Sequence, residues 1–199
     1  MTYLTNFLML SFVLATYSTL AVAQDTECPR QAVKVPQDLA KQLLRRAFRT
    51  MQTEPDEKKR IIQEAENSKG GISRLFCAEA VDLDRDGKRD LLIHQADVED
   101  TYCGAHNCPV WVYRRTDGGY RLLLYATAGY FADRITALKS STNGYRDIRS
   151  QYHQSAAERE VTVYKFDGKR YRARVCMTAT YDNDERGRER VKYTRYRCS

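Results

Sequence analysis

The sequence predicts an α+β fold in which two N-terminal helices pack on a mainly antiparallel, curved meander sheet. Three observations carry that prediction. Apolar residues recur at helical spacing between Asp38 and Gly71, and nowhere later in the chain. After Gly71 the period shortens to two, in β-branched and aromatic runs separated by Gly-containing turns. Six cysteines are spread along the chain, enough to staple such a sheet.

The first helix is expected to start at Asp38 as its cap. Leu39, Leu43 and Ala47, joined by Ala40, Leu44, Phe48 and Met51, make its apolar stripe. Lys41, Arg45, Arg46 and Arg49 make the opposite face. The run Thr53-Glu54-Pro55-Asp56-Glu57 opens a second helix, with Pro near its first position and acids in the first turn. Ile61, Ile62 and Ala65 form its buried side, and Gly70-Gly71 ends it.

Strands are predicted at 91–95, 110–115, 120–125, 147–152, 161–166, 171–177 and 191–196. The turns between them are Asp86-Gly87, Asp117-Gly118-Gly119, Asn143-Gly144, Asp167-Gly168 and Arg186-Gly187. Their spacing is too irregular for a repeat array, so they read as one curved or partly closed sheet. A helical segment, 24–71, and an antiparallel β region, 72–199, then make one unit, because no low-complexity linker divides them.

The first residues speak to compartment. The chain is almost wholly apolar from Leu4 to Ala15, and no charged side chain precedes Asp25. Ala21-Val22-Ala23-Gln24 follows as a small-x-small cleavage pattern, so 1–23 reads as a signal peptide. The apolar core falls short of the ~20 residues a bilayer span needs. A periplasmic or secreted protein with no transmembrane span after cleavage is expected. The net charge of +7 then belongs wholly to the remaining chain. It favours an acidic protein or an anionic envelope polymer as partner, whereas export argues against nucleic acid.

An oxidising compartment reads the six cysteines as three disulfides, with roughly 15 connectivities open to them. Cys103 and Cys108 enclose only Gly-Ala-His-Asn and can close locally. Cys176 and Cys198 flank the last turn and could join neighbouring strands. Cys28 is then left for Cys77.

The most informative stretch is Asp82-Leu83-Asp84-Arg85-Asp86-Gly87-Lys88-Arg89-Asp90. Carboxylates at alternate positions converge on one point, and Gly87 allows the sharp bend that calcium coordination requires. The expected ligands are Asp82, Asp84, Asp86, the Lys88 carbonyl and Asp90. Ile93 stands where a helix–loop–helix site would have its bidentate Glu, which excludes an EF-hand. Arg85, Lys88 and Arg89 offset three of the four acids, so binding in the weak, extracellular range is expected, with a structural role. An ion-free, solvated Asp-rich turn is the competing reading.

This loop resembles the DxDxDGxxDL segment of FG-GAP and VCBS-type calcium loops, which implies a hairpin in an extracellular protein. Those families repeat the loop many times, and here one copy stands alone. A longer stretch is similar to uncharacterised bacterial exported proteins. It runs through Tyr102-Cys103-Gly104, Cys108-Pro109-Val110-Trp111-Val112-Tyr113 and Thr142-Asn143-Gly144-Tyr145-Arg146-Asp147 to Phe166-Asp167-Gly168-Lys169-Arg170-Tyr171. The similarity implies export and a shared fold, and brings no activity with it.

Candidate catalytic groups are sparse. His106 between Cys103 and Cys108 lacks zinc-knuckle spacing, and an even cysteine set leaves no spare thiol for His94 or His153 to activate. Asp97, Glu99 and Asp100 have no spacing that marks a glycosidase pair. The chain has no Walker loop, no G-x-S-x-G and no H-E-x-x-H.

The C-terminal third is basic and rich in tyrosine. Arg170, Arg172 and Arg174 alternate with Tyr171 and Ala173, so a strand would present three guanidiniums on one face. Arg190, Lys192, Arg195 and Arg197 with Tyr193 and Tyr196 could extend that surface, which would suit phosphate, carboxylate or ring faces. An ordinary solvated sheet face is the plainer reading. The function expected is a non-enzymatic envelope binding protein, inhibitor- or immunity-like, with a structural calcium loop. An envelope hydrolase assembled only in three dimensions, or a calcium-stabilised structural module without a tight partner, are the alternatives.

Overall fold

Helix α1 (Gln37–Thr50) begins directly after Pro36, whose carbonyl accepts the Ala40 N–H at 2.8 Å. Asp38 therefore sits inside the first turn instead of capping it, where its charge still meets the positive end of the helix dipole. Leu39, Ala40, Leu43, Leu44, Ala47 and Phe48 are all buried, as their spacing requires. Helix α2 (Pro55–Asn67) has Pro55 in its first turn with Asp56 and Glu57, and buries Ile61 and Ala65. A short 3₁₀ turn, Gly71–Leu75, hands the chain to the sheets. Gly71 has φ 62°, and a Cβ there would meet Gln37 Nε2 at 2.8 Å, the amide that donates to the Gly70 carbonyl.

The computed structural model describes residues 28, 32–50, 54–96, 107–129, 135–183 and 186–198. The expected signal segment, 1–23, and Met51 lie outside them. Among the described residues, β1 (Ala32–Val33), β2 (Phe76–Val81), β3 (Asp90–Gln95), β4 (Asn107–Thr116) and β5 (Gly119–Gly129) form one sheet in that order. The other sheet holds β6 (Ile135–Thr142), β7 (Tyr145–His153), β8 (Glu158–Phe166), β9 (Tyr171–Asn183) and β10 (Glu189–Tyr196), also in chain order. Every pairing is antiparallel. The meander read from the sequence is thus present, divided into two five-stranded sheets where one curved sheet was expected. Strand β6 was missed because it is an edge strand in which only Ile135 is buried.

The division follows from burial on two sides of the first sheet. Phe76, Ala78, Leu91, Ile93, Trp111 and Tyr113 share one core with the helices. On the opposite face, Leu92, Val110, Val112, Leu124, Ala126 and Ala128 share a second core with Ile135, Ile148, Phe166 and Tyr171 of the other sheet. The layers are therefore helices, first sheet, second sheet. Because both faces of β3 are covered, its sequence is a continuous apolar run, Leu91-Leu92-Ile93, with no polar alternation.

Two disulfides hold the ends. Cys28–Cys77 ties the N-terminal segment to β2, and Cys176–Cys198 ties β9 to the residue two past the end of β10. Both are the pairs expected. Cys108 is also disulfide-bonded, while its expected partner, Cys103, lies outside the described residues. No described cysteine is free, which fits an oxidising compartment. No described helix is long and apolar enough to cross a membrane.

Candidate metal centre

The aspartate loop joins β2 to β3 and folds by hydrogen bonds from its own backbone. Asp82 Oδ2 accepts the Gly87 N–H at 3.1 Å, Asp84 Oδ1 accepts the Asp86 N–H at 3.4 Å, and Asp86 Oδ1 accepts the Lys88 N–H at 2.8 Å. The reversals fall at Arg85 (φ 62°) and Gly87 (φ 82°). The outcome is that Asp82, Asp84 and Asp86 each bring a carboxylate oxygen within 4.8 Å of the others. Three of the five expected ligands are thereby gathered.

Asp90 has another part. It is 1 % exposed, and its two oxygens accept the backbone N–H groups of Leu83 (3.1 Å) and Arg115 (2.7 Å). It is outside the three-carboxylate group and instead fastens the loop to β4. Burial pushes its carboxyl up to about 6, against the pull of those two N–H donors, and the charges of Asp84 and Asp86 push the same way. The Lys88 side chain turns to Asp117, with Nζ 2.7 Å from Oδ1.

Two residues from distant strands complete the site, and nothing local in the sequence marks them. Arg114 of β4 sets Nη2 2.7 Å from Asp84 Oδ2 and 3.4 Å from Asp86 Oδ2. Tyr145 of β7 hydrogen-bonds Asp84, and its hydroxyl is pushed up to about 12, by burial first and by that carboxylate second. The Tyr145 ring stacks on Phe166 with centroids 3.9 Å apart. Leu83, inside the loop, is fully buried between the sheets, and its carbonyl accepts the Arg146 N–H at 2.8 Å. The loop therefore bridges both sheets.

Whether a cation fits can be judged from the unused oxygens. Asp82 Oδ1 is buried and has no hydrogen-bond partner. A buried carboxylate oxygen left without a partner is costly unless a cation satisfies it. Asp84 and Asp86 add two more anionic donors beside it. A calcium-type ion suits such hard oxygens, and would have to share them with the Arg114 guanidinium.

The basic residues do not form the single face that the sequence suggested. Arg170 lies in the turn before β9, where its N–H donates to Asp167 Oδ1 at 2.8 Å. Arg172 sits opposite Lys165 and donates from Nε to Asp167 Oδ2 at 3.1 Å. Arg174 falls where the β8–β9 register shifts, so the alternation between Arg172 and Arg174 is broken. In β10, Tyr196 faces Cys176, which pairs with Thr162, on the side of the sheet that carries Ile148. Two-residue periodicity puts Arg190 and Lys192 there too, and Tyr193 on the opposite side with Arg172. All eight residues of β10 are exposed, those of both sides alike.

His94 is partly buried, with Nδ1 2.7 Å from the Gln95 carbonyl oxygen, and His153 is on β7. Cys77 and Cys176 are both in disulfides, so neither supplies a thiolate. Asp97, Glu99, Asp100 and His106 lie outside the described residues. Comparison with protein-family models, with curated proteins and with solved structures gives no match to this chain.

Proposed function

We propose that the chain is an exported binding domain in which Asp82, Asp84 and Asp86 hold a structural calcium ion, and whose basic C-terminal strand meets an acidic partner. The observation that carries the ion is Asp82 Oδ1, buried and unpartnered beside two further carboxylates. The likeness of the loop to FG-GAP and VCBS-type loops supports calcium as the metal. Magnesium suits the site less well, because it demands near-ideal octahedral geometry and leaves little room for a shared guanidinium. The role follows from position: an ion here fixes a loop whose Leu83 is wedged between the sheets, so it stiffens the sandwich. Export is supported by the apolar leader and the disulfides.

A thermal melt of the oxidised protein, in calcium and then in excess chelator, tests this. Mass action gives about 2.7 kcal/mol of stabilisation at a hundredfold excess over the dissociation constant. The rise should vanish in Asp84→Ala. No shift at millimolar calcium would reduce the loop to an ordinary turn and overturn the metal reading.

A further inference from the structure

We infer that the outer edge of β10 takes up an extended acidic segment of another protein as an added strand. The inference rests on the binding reading above and names its partner class and mode.

Strand β10 pairs with β9 without a register shift, from Glu189 opposite Asn183 to Tyr196 opposite Cys176. The Cys176–Cys198 disulfide holds its end in place. Among the described residues no strand lies on its other side, so alternate N–H and C=O groups face outward along eight residues. The opposite edge of the same sheet, β6, is a poorer template, because its register breaks between Ala137 and Ser141.

Charge selects the occupant. Residues 190–197 carry Arg190, Lys192, Arg195 and Arg197 and no Asp or Glu. A second copy of this chain would crowd eight cations onto one strand pair, with only the two copies of Glu189 to offset them. An acidic strand would instead set carboxylates against Arg190 and Lys192 on one side. Apolar side chains would cover Val191 and Tyr193 on the other, which are 39 % and 58 % exposed. An anionic polymer would answer the charges but leave the outward backbone groups and that apolar side unused.

The probe is the peptide acetyl-(Glu-Val)₅-amide, whose two faces match this alternation, titrated into the oxidised full chain with calcium at low salt. Saturable binding is expected, with slowed hydrogen exchange at alternate β10 amides and none at β6. A version N-methylated on every second residue keeps its charge and loses the bonding edge; it should bind at least tenfold more weakly. Lys192→Glu, on the side that would meet the peptide's glutamates, should weaken the parent peptide similarly, with circular dichroism and melting confirming the fold. Equal binding of the N-methylated peptide, or of polyglutamate of the same length, would overturn strand addition and leave the binding reading standing. Loss of all binding, polyglutamate included, would remove both.

Discussion

Arg114 Nη2 lies 2.7 Å from Asp84 Oδ2, so a cation from the first sheet already occupies one side of the acidic loop. The guanidinium and a bound metal ion compete for the same carboxylates. Arg114→Gln should therefore act in opposite directions in two buffers. In chelator it should lower the melting temperature, because Asp84 and Asp86 lose their countercharge. In a calcium titration it should tighten binding about tenfold, since a like charge roughly 5 Å from the ion costs on the order of 1–3 kcal/mol near a surface. Isothermal titration and melting decide it; the same sign in both would refute the competition.

Asp90 gives a pH dependence whose sign can be worked out. Its folded value of about 6 is above that of an ordinary carboxyl, so the native state holds the proton more firmly than the unfolded chain does. Its contribution to stability is then full below about pH 4 and is lost as pH rises through about 6. In chelator, wild type should lose ground against Asp90→Asn between about pH 4 and 6 and level off above that. A carboxyl resonance of Asp90 titrating near 4 would contradict this.

Leu83 belongs to the loop by sequence and to the core by position. Leu83→Ala should cost about 2–5 kcal/mol in denaturant unfolding, the range for a fully buried leucine. Exposed loop neighbours such as Arg85 and Arg89, changed to Ala, should stay within about 0.5 kcal/mol in chelator. An effect of Leu83→Ala as small as theirs would show that the loop is not wedged between the sheets.

The two described disulfides close loops of different length, with sequence separations of 49 and 22. Loop-closure entropy makes the first worth about 4 kcal/mol and the second about 3 kcal/mol. Paired Cys→Ser variants should follow that order in urea. The Cys176–Cys198 variant should additionally free the end of β10 and raise its amide exchange, an effect absent from the Cys28–Cys77 variant.

Much was legible locally. The stripe from Leu39 to Phe48, Pro55 with its acids, and the Asn143-Gly144 reversal depend on neighbours a few residues away, and each element stands where its residues place it. The Asp82, Asp84 and Asp86 cluster was legible for the same reason, since alternate positions around one glycine converge through the loop's own hydrogen bonds.

Arg114, Tyr145 and the role of Asp90 were not legible. Arg114 and Tyr145 reach an acid 28 or more residues away and Asp90 is tied to Arg115 across 25, and only sheet register brings these together. The basic face failed to form as read for a related reason: period two assigns sides only while a strand stays regular, and the bulge near Arg174 breaks that count. The sequence by itself determined the elements, the turns and the acidic cluster, because those rest on short-range geometry. Tertiary structure decided that the meander divides into two sheets, that Arg114 shares the cluster and that β10 is an edge strand among the described residues, because packing between distant strands sets which faces are covered.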